Sequence, residues 1–100
     1  KLVDVAPDGF AQRIVEGIVA VPQTGSREGA QEAVVDLGST GYRVREGHRL
    51  RLEVATSCFP RFAVHPGTGE DPMLAVGGSP SDQGLLVGGS EGSAVSLTVI

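Results

Sequence analysis

The residues of this chain that could do chemistry are few, and the most suggestive group is Gly88-Gly89-Ser90-Glu91-Gly92, a match to the G-x-S-x-G nucleophile elbow. That elbow sets its serine on a sharp turn between a strand and a helix, so that the hydroxyl stands exposed above a sheet. Here residues 93–100 alternate like a strand instead, and no histidine follows Ser90 to act as its base. With 15 glycines in 100 residues, a chance match is unsurprising. The motif reads as a loop, and no catalytic residue is assigned.

Metal and cofactor chemistry fare no better. His48, His65 and Cys58 are the only imidazole and thiol ligands, and none has the paired spacing of a zinc site. His48 is in register with Leu50 and Leu52, which reads as an inward-facing, hydrogen-bonded histidine. Glu70 and Asp71 form a solvated turn with too few oxygen ligands for calcium. Gly67-Thr68-Gly69 lacks the third glycine and the preceding apolar strand of a phosphate loop. Neither a metal nor a cofactor is expected.

The remaining local feature is Ser57-Cys58-Phe59-Pro60-Arg61-Phe62, in which two Phe and one Arg flank a rigid proline. Aromatic residues and arginine concentrate in desolvated interfaces. On the residues alone, Phe59, Arg61 and Phe62 read equally well as interface anchors or as a plug closing the core. A carbohydrate-binding or protein-binding β-sandwich module is the rival reading, thinly supported because only Tyr42, Phe59 and Phe62 offer flat aromatic surface.

The elements that must carry these residues are short. Fifteen Gly and six Pro cut the chain into segments that suit an all-β protein of one small domain. Ala6-Pro7-Asp8-Gly9 reads as a turn between the segment at 2–5 and the one starting at Phe10. Residues 18–21 are fully apolar, which predicts cover on both faces, and residues 23–30 read as a loop. Residues 48–55 alternate with period two, as do 95–99, so both are expected strands. Residues 28–37 fit helical and alternating spacing equally. The net charge of −4 argues against nucleic acid, even though Arg43, Arg45, Arg49 and Arg51 lie close together. That cluster reads as a solvated strand face. No apolar run of ~18 residues is present to span a membrane.

A resemblance adds to this. Lys1-Leu2-Val3-Asp4-Val5 with Pro7-Asp8-Gly9, then Val35-Asp36-Leu37-Gly38-Ser39-Thr40, then residues 42–54 and Phe59-Pro60-Arg61-Phe62, resemble the C-terminal domain of the X-Pro dipeptidyl-peptidase and cocaine esterase (CocE/NonD) hydrolases. The resemblance implies a jelly-roll β-sandwich, similar to galactose-binding domains, with residues 1–100 as an incomplete C-terminal part of it. It favours strand at 31–37. It also implies a non-catalytic accessory role in an ester- or amide-cleaving serine hydrolase. The domain would pack on the α/β-hydrolase catalytic domain of the same protein and help shape its substrate entrance, with homo-oligomerisation as a further role. The resemblance places the catalytic Ser, Asp and His in the α/β part, with none of them mapping onto residues 1–100. Phe59, Arg61 and Phe62 then become the expected interdomain anchors, and cytoplasmic and secreted locations both stay open. The chain departs from the family pattern at Cys58, at 63–69 and at 85–92.

Overall fold

The computed structural model describes residues 1–21 and 29–100, which form two units, Lys1–Val54 and Ala55–Ile100. All regular structure among the described residues is β-strand. In the first unit, β1 (Leu2–Val5), β2 (Ala11–Val15) and β3 (Arg49–Leu52) form an antiparallel sheet in the order β2-β1-β3.

The hairpin between β1 and β2 follows from its turn residues. Proline presets the backbone at the second turn position, and Gly9 N donates to the Ala6 carbonyl at 2.9 Å. Gly9 itself has φ +90°, open only to a residue without a Cβ strain penalty. Asp8 Oδ1 accepts from Phe10 N at 2.9 Å, and Ala6 N donates to the Phe10 carbonyl at 2.8 Å, closing the hairpin. The β1–β2 ladder carries one irregularity. Leu2 is opposite Val15 and Val3 opposite Arg13, so Ile14 is an extra residue on β2.

The core sits on β1 because it alone has a strand on both sides. Leu2, Val3 and Val5 are buried, and Asp4 is buried with them at 4% exposure. Register fixes the two faces. Val3 and Val5 share one with Ala11, Arg13, Arg49 and Arg51, while Leu2 and Asp4 share the other with Val15, Gln12, Leu50 and Leu52. Arg13 pairs with Glu16 at 3.0 Å and Arg51 pairs with Glu53, so both guanidinium groups on the valine face have carboxylate partners.

Several expectations need correction. The strand at 48–55 is shorter, Arg49–Leu52, and its inward leucines, Leu50 and Leu52, are half-exposed. Ile18, Val19 and Val21 were expected to be covered on both faces and are exposed. Residues 31–37 and 95–99 form no strand. Alternation specifies which side chains share a face, but a strand also needs a neighbour for its backbone groups, and among the described residues these segments have none in register. The loop expected at 23–30 lies mostly outside the described residues. Its last two, Gly29 and Ala30, are exposed and irregular.

The second unit consists of turns. Phe62 N donates to the Cys58 carbonyl at 3.0 Å, and Leu74 N and Ala75 N both reach the Asp71 carbonyl. Ser79 N donates to the Pro66 carbonyl at 2.7 Å, beside the buried Pro66.

One close approach fixes the chain beyond β2. A Cβ on Gly17 would lie 2.2 Å from the Asp36 carbonyl oxygen, so only glycine fits there. Gly17→Ala is therefore expected to cost about 1–3 kcal/mol, the usual range for overpacking. Urea unfolding monitored by circular dichroism checks this, and an unchanged midpoint would refute the contact.

Candidate functional site

The most highly connected polar group is one the motif search passed over. Asp4 stands in the middle of an otherwise apolar strand, Leu2-Val3-Asp4-Val5, and a buried carboxylate must find partners. It finds two. Tyr42 Oη donates to Oδ2 at 2.8 Å, and His48 Nδ1 lies 3.0 Å from both carboxylate oxygens. An ionised carboxylate only accepts, so His48 carries its proton on Nδ1. Local structure aims both partners. Gly47, at φ +79°, is the third residue of a turn closed by His48 N on the Arg45 carbonyl at 3.1 Å. That turn delivers His48 to the start of β3, whose Leu50 is the register partner of Asp4.

The electrostatics follow from this geometry. Burial alone would raise the Asp4 pKa, but the hydrogen bonds from Tyr42 and His48 and the charges of His48 and Arg45 outweigh it. The carboxyl therefore titrates below its ordinary value. Tyr42 is pushed above its ordinary value, first by its hydrogen bond to Asp4, then by burial and by the Asp4 charge.

Chemically, His48 and Asp4 supply two members of a relay, but no nucleophile completes it. Among the described residues, no serine, threonine or cysteine is hydrogen-bonded to His48. The Tyr42 hydroxyl already donates its proton to Asp4. The cluster ties the 42–48 segment to β1 and has a structural role. His48 is thus hydrogen-bonded, as its register suggested, with its side chain 18% exposed.

The other sequence candidates are scattered. Ser90 lies in a tight loop where Ser93 N donates to the Leu86 carbonyl at 2.8 Å, with Gly88 and Gly89 both at positive φ. No strand precedes it and no helix follows, so the elbow is absent. His65 Nδ1 accepts from Gly67 N at 3.1 Å, a local turn bond. Asp71 Oδ1 accepts from Met73 N at 2.9 Å and caps a single turn. Among the described residues, no three His, Cys, Asp or Glu side chains are grouped to hold a metal. Nor is any helix long and apolar enough to cross a membrane.

Arg61 and Phe62 come together on the turn from Cys58 to Phe62, and Phe59 lies on the same turn. Phe59 is 74% exposed, Phe62 37%, and the Arg61 guanidinium carbon lies 5.5 Å from the Phe62 ring centroid. A cation–π contact of this kind contributes about 0.5–1 kcal/mol at an exposed site.

These features fall inside a recognisable region. Residues 1–78 match the X-Pro dipeptidyl-peptidase C-terminal non-catalytic domain, and the chain belongs to that family. The match takes in Asp4, Tyr42, His48 and the Phe59–Phe62 turn, and leaves Ser90 outside. Among its relatives is the cocaine esterase of Rhodococcus sp. (strain MB1 Bresler), 32% identical over 77 residues. That alignment covers 69% of this chain and 13% of the relative, so the chain corresponds to a small part of the longer protein. No solved structure matches the chain.

The Asp4 cluster has a defined pH signature. The contribution of Asp4 to stability is complete above the unfolded carboxyl pKa of about 3.9, and is lost as pH falls through the lower folded value. That of Tyr42 is complete below about 10 and is lost as pH rises through the raised folded value. Tyr42 is the only tyrosine, and there is no tryptophan, so the tyrosinate absorbance band reports this residue alone. Its midpoint is expected above the ordinary tyrosine value in the folded chain, and nearer to it in Asp4→Asn. A midpoint unmoved by Asp4→Asn, in a variant with native circular dichroism, would remove Asp4 as the cause.

Proposed function

We propose that this chain is an accessory, non-catalytic part of a serine hydrolase that cleaves esters or X-Pro and related acyl amides. In this reading residues 1–100 belong to one C-terminal jelly-roll β-sandwich, similar to galactose-binding domains. It packs on the α/β catalytic domain of the same protein and forms part of the wall of the substrate entrance. The parent enzyme works through an acyl-enzyme, with its serine nucleophile, histidine base and oxyanion hole on that other domain.

The observation that carries this reading is the exposed Phe59 beside the Arg61–Phe62 stack, inside the family-matched region. Burying a phenylalanine ring against a partner is worth about 1.5–3 kcal/mol. An arginine already packed over an aromatic face loses less freedom on docking. Membership in a non-catalytic domain family supports the accessory role. The sugar-binding alternative draws no support from Tyr42, whose hydroxyl is bonded to Asp4.

The deciding experiment is fluorophosphonate labelling of the native protein with mass analysis of every polypeptide present. The expected adduct lies on a larger hydrolase portion, with residues 1–100 unlabelled; an adduct at Ser90 overturns the proposal. In the same protein, Phe59→Ala and Arg61→Ala are expected to weaken docking by about 2 kcal/mol each if both are hot spots. Unchanged melting and activity in both variants would remove this turn from the interface.

A further inference from the structure

The segment between Tyr42 and His48 is fastened at both ends to one group. Tyr42 Oη and His48 Nδ1 lie 2.8 and 3.0 Å from oxygens of the buried Asp4 carboxylate. The residues between them loop outward through the Arg45–His48 turn. Arg43 and Arg45 are exposed on that loop, and with Val44 and Glu46 they line a concavity of about 490 Å³. Arg13 and Arg51 on the sheet have glutamate partners, whereas among the described residues no carboxylate forms an ion pair with Arg43 or Arg45. Arg45 acts on Asp4 only through its charge.

The geometry points to the loop at 43–47 as a second docking element, one that takes a carboxylate-bearing protein surface on the hydrolase portion of the same protein. This partner assignment rests on the accessory-domain reading above. Guanidinium groups match carboxylates in a two-pronged geometry, and such charge-assisted bonds are the stronger ones. Ordering a flexible loop on binding ordinarily consumes much of that gain. Here Asp4 has ordered the backbone in advance, so Asp4 acts as a positioning residue for the two arginines. The net charge of −4 disfavours a long polyanion such as nucleic acid, which runs past the two arginines onto the rest of the surface, while a short acidic patch meets mainly the local field of the two guanidinium groups.

Calorimetric titration of the full chain with a hexaglutamate peptide tests the loop itself. Saturable binding that weakens as salt rises is expected. The double variant Arg43→Ala/Arg45→Ala should lose about tenfold or more in affinity, the loss of at least one charge-assisted bond. Arg13→Ala should leave binding unchanged. Tyr42→Phe keeps both arginines and removes one tether, so it should weaken binding severalfold while the circular dichroism stays native. A merely structural tether would leave peptide affinity alone. Equal binding by the double variant overturns the proposal, as does tighter binding of duplex DNA than of the peptide. Dimerisation of the chain that the double variant abolishes would assign the loop to a second copy and overturn it too. The two readings separate cleanly. Lost peptide binding with unchanged docking on the hydrolase portion refutes the loop's partner and leaves the accessory reading intact. Peptide binding by a chain that does not dock on the hydrolase portion at all refutes the accessory reading, and the loop's partner falls with it.

Discussion

The long-range order of the first unit depends on how one carboxylate is accommodated. Asp4 occupies the central strand, at a position where a valine or leucine would be the simple choice. Its burial is tolerable only because two side chains, 38 and 44 residues further along the chain, arrive to donate hydrogen bonds. Such a requirement is directional where hydrophobic burial is not. It determines where the chain must return, and it brings His48 to the residue just before β3. The β1–β2 hairpin can form from local turn chemistry. The β1–β3 pairing is long-range, and Asp4 supplies a specific reason for it to form in this register.

The apolar core around that carboxylate is small. Leu2, Val3 and Val5 are its only buried apolar members among the described residues, while Phe59, Met73, Leu74 and Val76 are largely exposed in the second unit. Large apolar side chains left in water in this number are what a segment shows when its cover comes from elsewhere. Membership in a family of domains that form part of longer hydrolases gives that exposure a physical context.

The sequence disclosed the hairpin, because Ala6-Pro7-Asp8-Gly9 carries its conformational preferences in the residues themselves. It disclosed β3 as well, since alternation from His48 onward marks which side chains share a face. Strand pairing at 31–37 and 95–99 was a different matter. Alternation is a property of one segment, whereas a ladder belongs to two, and the second partner is not written into the first. The bond between Asp4 and Tyr42 was illegible for a related reason, and Tyr42 was read only as flat aromatic surface. Each is ordinary by type and spacing, and only their meeting gives them a role. The signal was nonetheless present, as a lone acid inside a four-residue apolar strand demands a partner from somewhere.

The irregularity opposite Leu2 has an evolutionary reading. Because Ile14 is surplus to the β1–β2 ladder, removing one residue there would regularise the pairing without shifting Val3, Asp4 or Val5 against their neighbours. Removing one anywhere between Val3 and Arg13 would instead disturb the turn or reverse the faces of a strand. Among homologous chains, a difference in hairpin length is therefore most cheaply absorbed at position 14, and an alignment gap placed there preserves every contact of the buried carboxylate.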